Sequence, residues 1–284
     1  MRFHLSLKVE RQVFGNKLPI NYQYELSAWI YRIIAQGDRL YAEWLHQNGY
    51  ADKHRNFRLF VFSNIYSPGI KNENDRLLFH SDKASFYLSL LPEKSTEAFI
   101  KGIFREQEFT LGDRVSKVQF AVQQVDLTPP PDFSNSFVFK TLSPVVVSAG
   151  QEDRLHARYV APDEDDYGQL IINNLKEKYR LFYQKPFEGD TDFQFELLSP
   201  HSRQTNPHQS LGATHLPPHQ NLFRSKLIRI KAGTKEETKV RGFVFTFRLE
   251  ADPELLKVMY EAGMGEKNAQ GFGCVTENSK SSST

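Results

Sequence analysis

The chain has 284 residues, 39% of them hydrophobic and 25% charged, the composition of a soluble globular protein long enough for roughly two domains. No window reaches the ~20 consecutive apolar residues that a membrane helix needs, and the one cysteine, Cys274, excludes an intramolecular disulfide or a multi-thiolate metal site and suits a reducing cytoplasm. A net charge of +2 and a pI near 8.4 do not by themselves require a polyanionic partner, but they accommodate one if the positive charge is concentrated.

The opening MRFHLSLKVE alternates apolar and polar residues, so Arg2 to Val9 reads as a strand rather than a secretory signal. Two short helices are predicted next, Asn21 to Ala35 and Asp38 to Asn48, followed by a strand at Arg58 to Ser63. Leu26, Ile30, Ile33 and Ile34 form the buried face of the first helix. The second has Asp38 as its N-cap candidate, repeats Leu40, Trp44 and Leu45 at helical spacing, carries His46 in its last turn and stops before Gly49, which can take the left-handed conformation. Strands at Arg76 to His80 and Ala84 to Leu91 lead to a helix from Ser95 to Arg105. A strand follows in which Val118, Phe120 and Val122 share one face.

Proline lacks an amide proton and fixes φ, so Leu127-Thr-Pro-Pro-Pro-Asp132 cannot sit inside a helix or a central strand. It divides the chain into an N-terminal domain, 1–127, a linker, 128–134, a C-terminal domain, 135–278, and a flexible tail, 279–284. Beyond the linker the pattern restarts, with strand material from Phe137 to Ser148 and a helix from Asp163 to Gln184. A strand at Phe193 to Leu198, a basic hairpin from Phe223 to Leu249, a helix from Pro253 to Ala262 and a last strand from Phe272 complete it. Two α+β halves of similar order suggest duplication.

Four segments carry candidate chemistry. Gly263-Met-Gly265-Glu-Lys-Asn-Ala-Gln-Gly271-Phe-Gly273 puts four glycines around Lys267 between a helix and a strand. Backbone amides could approach an anion there, or the segment is a helix C-cap followed by a turn and a bulge. The hairpin carries Arg224, Lys226, Arg229, Lys231, Lys235, Lys239 and Arg241. Alternation places several of these on a common face that could follow a phosphate backbone or serve as a solvated edge. Asp163-Glu-Asp-Asp166, with Lys176, Lys178, Arg180 and Lys185 later in the same helix, complements the helix dipole and is read as a helix start rather than a cation site. His201, His208, His215 and His219 lie among prolines and polar residues without acidic or cysteine companions, which favours a surface loop over a metal site.

The C-terminal helix–GMGEKNAQGFG–strand resembles the glycine-rich loop of the CRISPR repeat-processing endoribonucleases, members of the repeat-associated mysterious protein superfamily. Tyr24-Glu-Leu-Ser-Ala-Trp-Ile-Tyr31, Ala42-Glu-Trp-Leu-His46-Gln-Asn-Gly49 with Phe57-Arg-Leu-Phe-Val-Phe62, and Leu142-Ser-Pro-Val-Val-Val147 agree with that family in the expected order. The resemblance implies two tandem ferredoxin-like (RRM-like) domains with a C-terminal glycine-rich loop. It also implies His46 as the proton-transfer residue, Tyr31 as its assistant and Lys53, with Arg55 close by, as a helping cation. RNA contacts are expected from Gly263, Gly265, Lys267, Gly271, Gly273, Arg224, Lys226, Arg229, Lys231, Lys239 and Arg241.

The activity implied is cleavage of CRISPR precursor transcripts within the repeat, with no cofactor and no metal. The substrate's own 2′-hydroxyl is then the nucleophile, and one base and one acid move the protons, roles an imidazole can fill near neutral pH. The sequence offers no compact carboxylate cluster of the two-metal kind. The alternative is a repeat-RNA-binding subunit of an effector complex that no longer cuts, a protein with no chemical need for His46 and Tyr31. Repeat RNA, and with it effector-complex subunits, are the expected partners of a cytoplasmic monomer or homodimer that does not enter a membrane.

Overall fold

The computed structural model describes residues 1–52, 55–150, 158–199 and 222–278. The histidine-bearing stretch His201 to His219, the tail 279–284 and Lys53 lie outside the described residues. Among the described residues, no helix is long and apolar enough to cross a membrane.

The N-terminal half begins with β1 (Arg2–Val9), whose Phe3, Leu5, Leu7 and Val9 are buried by strand alternation. Then come α1 (Gln23–Gly37), α2 (Arg39–Gln47), β2 (Phe60–Phe62), β3 (Lys83–Leu90), α3 (Glu93–Ile103), β4 (Glu108–Gly112) and β5 (Lys117–Thr128). The sheet order is β2-β3-β1-β5-β4, antiparallel throughout. Leu26, Ile30, Ile33 and Ile34 of α1 are fully buried, as their spacing predicts. Asp38 caps α2 by accepting from the Tyr41 amide, and Gly49 follows with φ +60°. The buried face of α2 differs in part from the expected one: Leu45 is buried as its spacing predicts, but Leu40 is 79% and Trp44 40% exposed, and Tyr41 and Ala42 join Leu45 in the core. Asp38 sets the start of the helix, and its phase leaves Leu40 outward.

The C-terminal half contains β6 (Ser136–Thr141), α4 (Tyr167–Tyr183), β7 (Gln194–Leu198), β8 (Phe223–Ile230), β9 (Thr238–Glu250), α5 (Pro253–Ala262) and β10 (Val275–Glu277). Its sheet runs β7-β9-β6-β10, with β8 paired to the first half of β9. Apart from the added strands β4 and β8 and the added helix α2, both halves place their strands in the order second, third, first, fourth with two helices packed on them. That is the ferredoxin-like arrangement, present twice. Residues 129–135, which include the three prolines, belong to no helix or strand.

Three expectations shift. Arg76–Leu78 is a strand but stands apart from the main sheet, pairing with Lys17–Pro19 and Lys71–Glu73. The short strand β4 has no counterpart among the expected elements. The long helix of the C-terminal half starts at Tyr167 rather than Asp163. Glu164 sits in the preceding turn, accepts from the Ala161 amide and pairs with Arg158.

The halves interlock through named contacts. Arg2 is 1% exposed and donates to Ser89 Oγ (2.7 Å), the Val275 carbonyl (2.8 Å) and the Tyr260 carbonyl (2.6 Å), with its guanidinium 3.4 Å from the centre of the Tyr260 ring. Ala269 of the C-terminal half joins the N-terminal core, and Leu59 and Leu91 of the N-terminal half join the C-terminal one. Burying these side chains across the boundary fixes one half against the other. The cleft between them therefore has defined walls.

Candidate active site

A cleft of about 860 Å³ lies between the halves. Its N-terminal wall is the face of α1 with Tyr24, Ser27, Ala28 and Tyr31, the end of α2 with His46, and the segment Arg55 to Arg58. The C-terminal wall is Ser148, Gly150, Asn174 and Glu266 to Gln270. Ser27 ties the walls together by donating to the Ala269 carbonyl at 2.6 Å.

Tyr31 and His46 come from different helices and meet edge to face, ring centres 5.1 Å apart. Phe60 supports Tyr31 from the sheet at 5.3 Å. Tyr31 is half-buried and His46 is exposed to the cleft. Burial pushes the Tyr31 hydroxyl up to about 12, opposed by the charge of Arg58 and its hydrogen bond. At neutral pH Tyr31 is therefore a proton-bearing hydroxyl, able to donate a hydrogen bond and unsuited to act as a base.

Arg58 is a site residue that sequence reasoning misses. It donates to the His46 carbonyl at 2.6 Å and to the Asn48 carbonyl at 3.2 Å, as well as to Asn56 Oδ1. One guanidinium thus closes the C-terminal end of α2, where helix carbonyls lack partners, and reaches the Tyr31 hydroxyl. It fixes the helix end that carries His46. The next residue, Leu59, holds φ +55°, a conformation rare for a branched side chain and the kind of strain found where neighbouring geometry is imposed. An arginine heading the otherwise apolar run Arg58-Leu-Phe-Val-Phe62 is the signal that could have found it. Arg55 is held by Glu177 at 3.5 Å, and Arg180 pairs with Asp52, so the short hairpin of Tyr50–Ala51 and Asn56–Phe57 is moored on α4.

Lys178, expected among the cations that complement the end of α4, is fully buried. Its ammonium donates to the Gly263 carbonyl (2.6 Å), the Gly265 carbonyl (2.8 Å) and Asn268 Oδ1 (2.8 Å). Burial pushes this group down to about 7, with Glu266 opposing the shift and Arg55 adding to it. Asn268 in turn donates to the Met264 and Phe272 carbonyls, both at 3.0 Å. The segment 263–273 is thereby knotted around two side chains.

The four glycines of this segment are buried, and packing explains them. A Cβ on Gly265 (φ +67°) would stand 2.3 Å from the Val146 carbonyl oxygen, and one on Gly273 (φ +80°) 2.0 Å from that of Met264. The amides of Gly263, Met264, Glu266, Gln270, Gly271 and Gly273 bond to backbone carbonyls of the chain itself. What the segment presents to the cleft as positive charge is Lys267, exposed and left-handed at φ +56°.

The basic hairpin forms as β8 and β9, but its cations are divided. Register puts Arg229 opposite Lys239 and Leu227 opposite Arg241, on the face away from Arg224 and Lys226. Like charges directly opposite one another repel, so Arg229 and Lys239 are held together at a cost that an anion would relieve. Lys231, at the turn, pairs with Glu236 and lies 5.7 Å from the centre of the Tyr24 ring. The Arg229 amide donates to Asn21 Oδ1 at 2.9 Å, which moors the hairpin beside the mouth of the cleft.

With this geometry in place, residues 17–126 match the family described as CRISPR-associated protein Cas6, N-terminal, and residues 127–277 that described as CRISPR associated protein Cas6, C-terminal. The chain belongs to the Cas6 family. A Cas6 relative from Methanocaldococcus jannaschii, named CRISPR-associated endoribonuclease Cas6 1, is 29% identical over 97% of this chain and 92% of its own length. The CRISPR-associated endoribonuclease Cas6 of Pyrococcus furiosus is 28% identical over 97% and 89%. A solved structure titled CRISPR associated protein Cas6 superposes with a TM-score of 0.70 at 28% identity, covering 98% of both chains.

Two outcomes follow from the geometry of this Cas6 site. Lys178→Met leaves three buried oxygens without a donor and should lower stability by about 2–5 kcal/mol in chemical denaturation; a loss below about 0.5 kcal/mol would show that the ammonium is not what holds the segment. Because Tyr31 keeps its proton to about pH 12, Tyr31→Phe should lower the rate of any reaction the site performs without removing a limb from its pH profile between pH 5 and 9. Disappearance of such a limb would show that Tyr31 titrates.

Proposed function

We propose that this chain is an endoribonuclease that cuts CRISPR precursor transcripts within the repeat to release guide RNAs. The observation that carries the reading is the contact of His46 with Tyr31 in a cleft that Arg55, Arg58 and Lys267 also line. The names of the relatives from M. jannaschii and P. furiosus agree with it.

The residues suit RNA cleavage by internal transfer. The ribose 2′-hydroxyl attacks the adjacent phosphate, the bond to the 5′-oxygen breaks, and the products carry a 2′,3′-cyclic phosphate and a 5′-hydroxyl. His46, open to the cleft, moves the proton at one of these oxygens. Tyr31, kept protonated, donates a hydrogen bond to the reacting group or to the imidazole. We assign Lys53 to the charge that builds on the phosphorane. Lys267 and the face with Arg229, Lys239 and Arg241 are assigned to the backbone on either side of the cut, with Arg224, Lys226 and Lys231 at the hairpin's other positions. Gly263, Gly265, Gly271 and Gly273 shape the wall that displays Lys267. The domain boundaries at 127 and 135 and a cytoplasmic site of action belong to the same reading.

One gel series tests it, with native repeat RNA, repeat carrying a single 2′-deoxy nucleotide just upstream of the cut, excess EDTA, and His46→Ala. The expected outcome is cleavage of the native repeat with or without EDTA and none of the deoxy repeat. His46→Ala should slow the reaction by about 10²–10⁴-fold at nearly unchanged affinity. A cut deoxy strand, or a 5′-phosphate on the downstream fragment, would make water the nucleophile and overturn the mechanism. Equal loss of binding and cleavage in His46→Ala would remove His46 from the chemistry.

A further inference from the structure

Asn174 is out of place by the ordinary rules of protein interiors. It sits in the middle of α4, where asparagine is a weak helix former, and is 4% exposed. Neither its Oδ1 nor its Nδ2 has a hydrogen-bond partner among the described residues. Buried amides without partners are rare because the water they gave up is not replaced. Its neighbour one turn on, Lys178, spends all three N–H groups elsewhere. Yet Asn174 lines the cleft, on the C-terminal wall, while His46 lines the N-terminal one.

The groups around it define what would satisfy it. Gln270 lines the same wall and its Oε1 also lacks a partner among the described residues. Glu266 lines it too, its carboxylate taking hydrogen bonds from Ser148 Oγ (2.8 Å) and the Ser148 amide (3.3 Å). The same wall carries Lys267, exposed and suited to a backbone phosphate, while Arg55 and Arg58 stand across the cleft; the amides and the carboxylate are left to face a base. A paired donor and acceptor matches the paired groups on the edge of a nucleobase. A carboxylate, which only accepts, favours an edge with an amino group.

Resting on the function proposed above, we propose that the Asn174 amide reads the edge of one RNA base carrying an exocyclic amino group, an adenine, a cytosine or a guanine and not a uracil. The base enters the cleft, turns the amide toward itself and supplies the two hydrogen bonds that no described residue supplies. Asn174 is thus a specificity residue. Its place in the fold costs stability that the bound RNA returns, the pattern expected where function overrides packing.

The test uses the full chain and a set of repeat RNAs, each abasic at one position, with binding measured for the wild type and for Asn174→Leu. The wild type should lose on the order of tenfold or more in affinity at one adenine, cytosine or guanine, and at no uracil. Asn174→Leu should bind the unmodified repeat that much more weakly and lose nothing further at that position. Its melting temperature should equal or exceed that of the wild type, since an unpaired amide has been removed. Asn174→Asp, which keeps the shape and loses the donor, should show the same loss at the same base. Position-by-position sensitivity unchanged in both variants, or uniform weakening at all positions with a lower melting temperature, would overturn the proposal. Cleavage of the unmodified repeat by the wild type, read in the same samples, reports separately on the endoribonuclease reading: if the chain binds the repeat without cutting it, the abasic series still decides the role of Asn174.

Discussion

Burial strips water from the Lys178 ammonium, so its three N–H groups must find oxygen, and the oxygens they find belong to Gly263, Gly265 and Asn268. That constraint bends the segment after α5 back onto α4. It also explains the neighbouring glycines, because a chain wound this tightly around a side chain leaves no room for Cβ atoms against Val146 and Met264. Lys267 reaches the cleft because the residues on both sides of it are tied down.

A corresponding knot exists on the opposite wall. Arg58 gathers the carbonyls at the end of α2 and touches Tyr31, so one cation sets the relation between the two side chains best suited to proton transfer. Each wall is internally rigid, and Arg2, Ser27 and Ala269 hold the walls at a fixed separation. A strand of RNA entering such a cleft meets groups already in position, which limits the ordering that binding must supply.

Much of this is legible in the sequence where the signal is local. Alternation marks β1, helical spacing marks the buried face of α1, and Asp38 and Gly49 bound α2. The two-fold repetition of element order is visible as well, and the strand orders of the two sheets agree with it. Lys178, Arg58 and Asn174 are not legible, because their roles depend on partners distant in the chain or across the cleft. Lys178 bonds to residues 85, 87 and 90 positions away, and nothing in LKEKYR separates it from Lys176 or Arg180. Leu40 shows the reverse error: its spacing suits a core position, but one apolar residue more than the buried face needs is left on the surface. The hairpin's cations can be counted from sequence, while their division between two faces requires the register.

The roles proposed for His46, Tyr31, Lys267 and Asn174 depend on RNA passing through the cleft between the halves, with the reacting phosphate at His46. A crystal structure of the chain with a repeat RNA made uncleavable by a 2′-deoxy nucleotide tests this directly. The scissile phosphate should lie within about 3 Å of the His46 imidazole, a hydrogen-bond distance, with the strand continuing past Lys267. RNA bound on the outer face of either sheet, with the cleft empty, would contradict it.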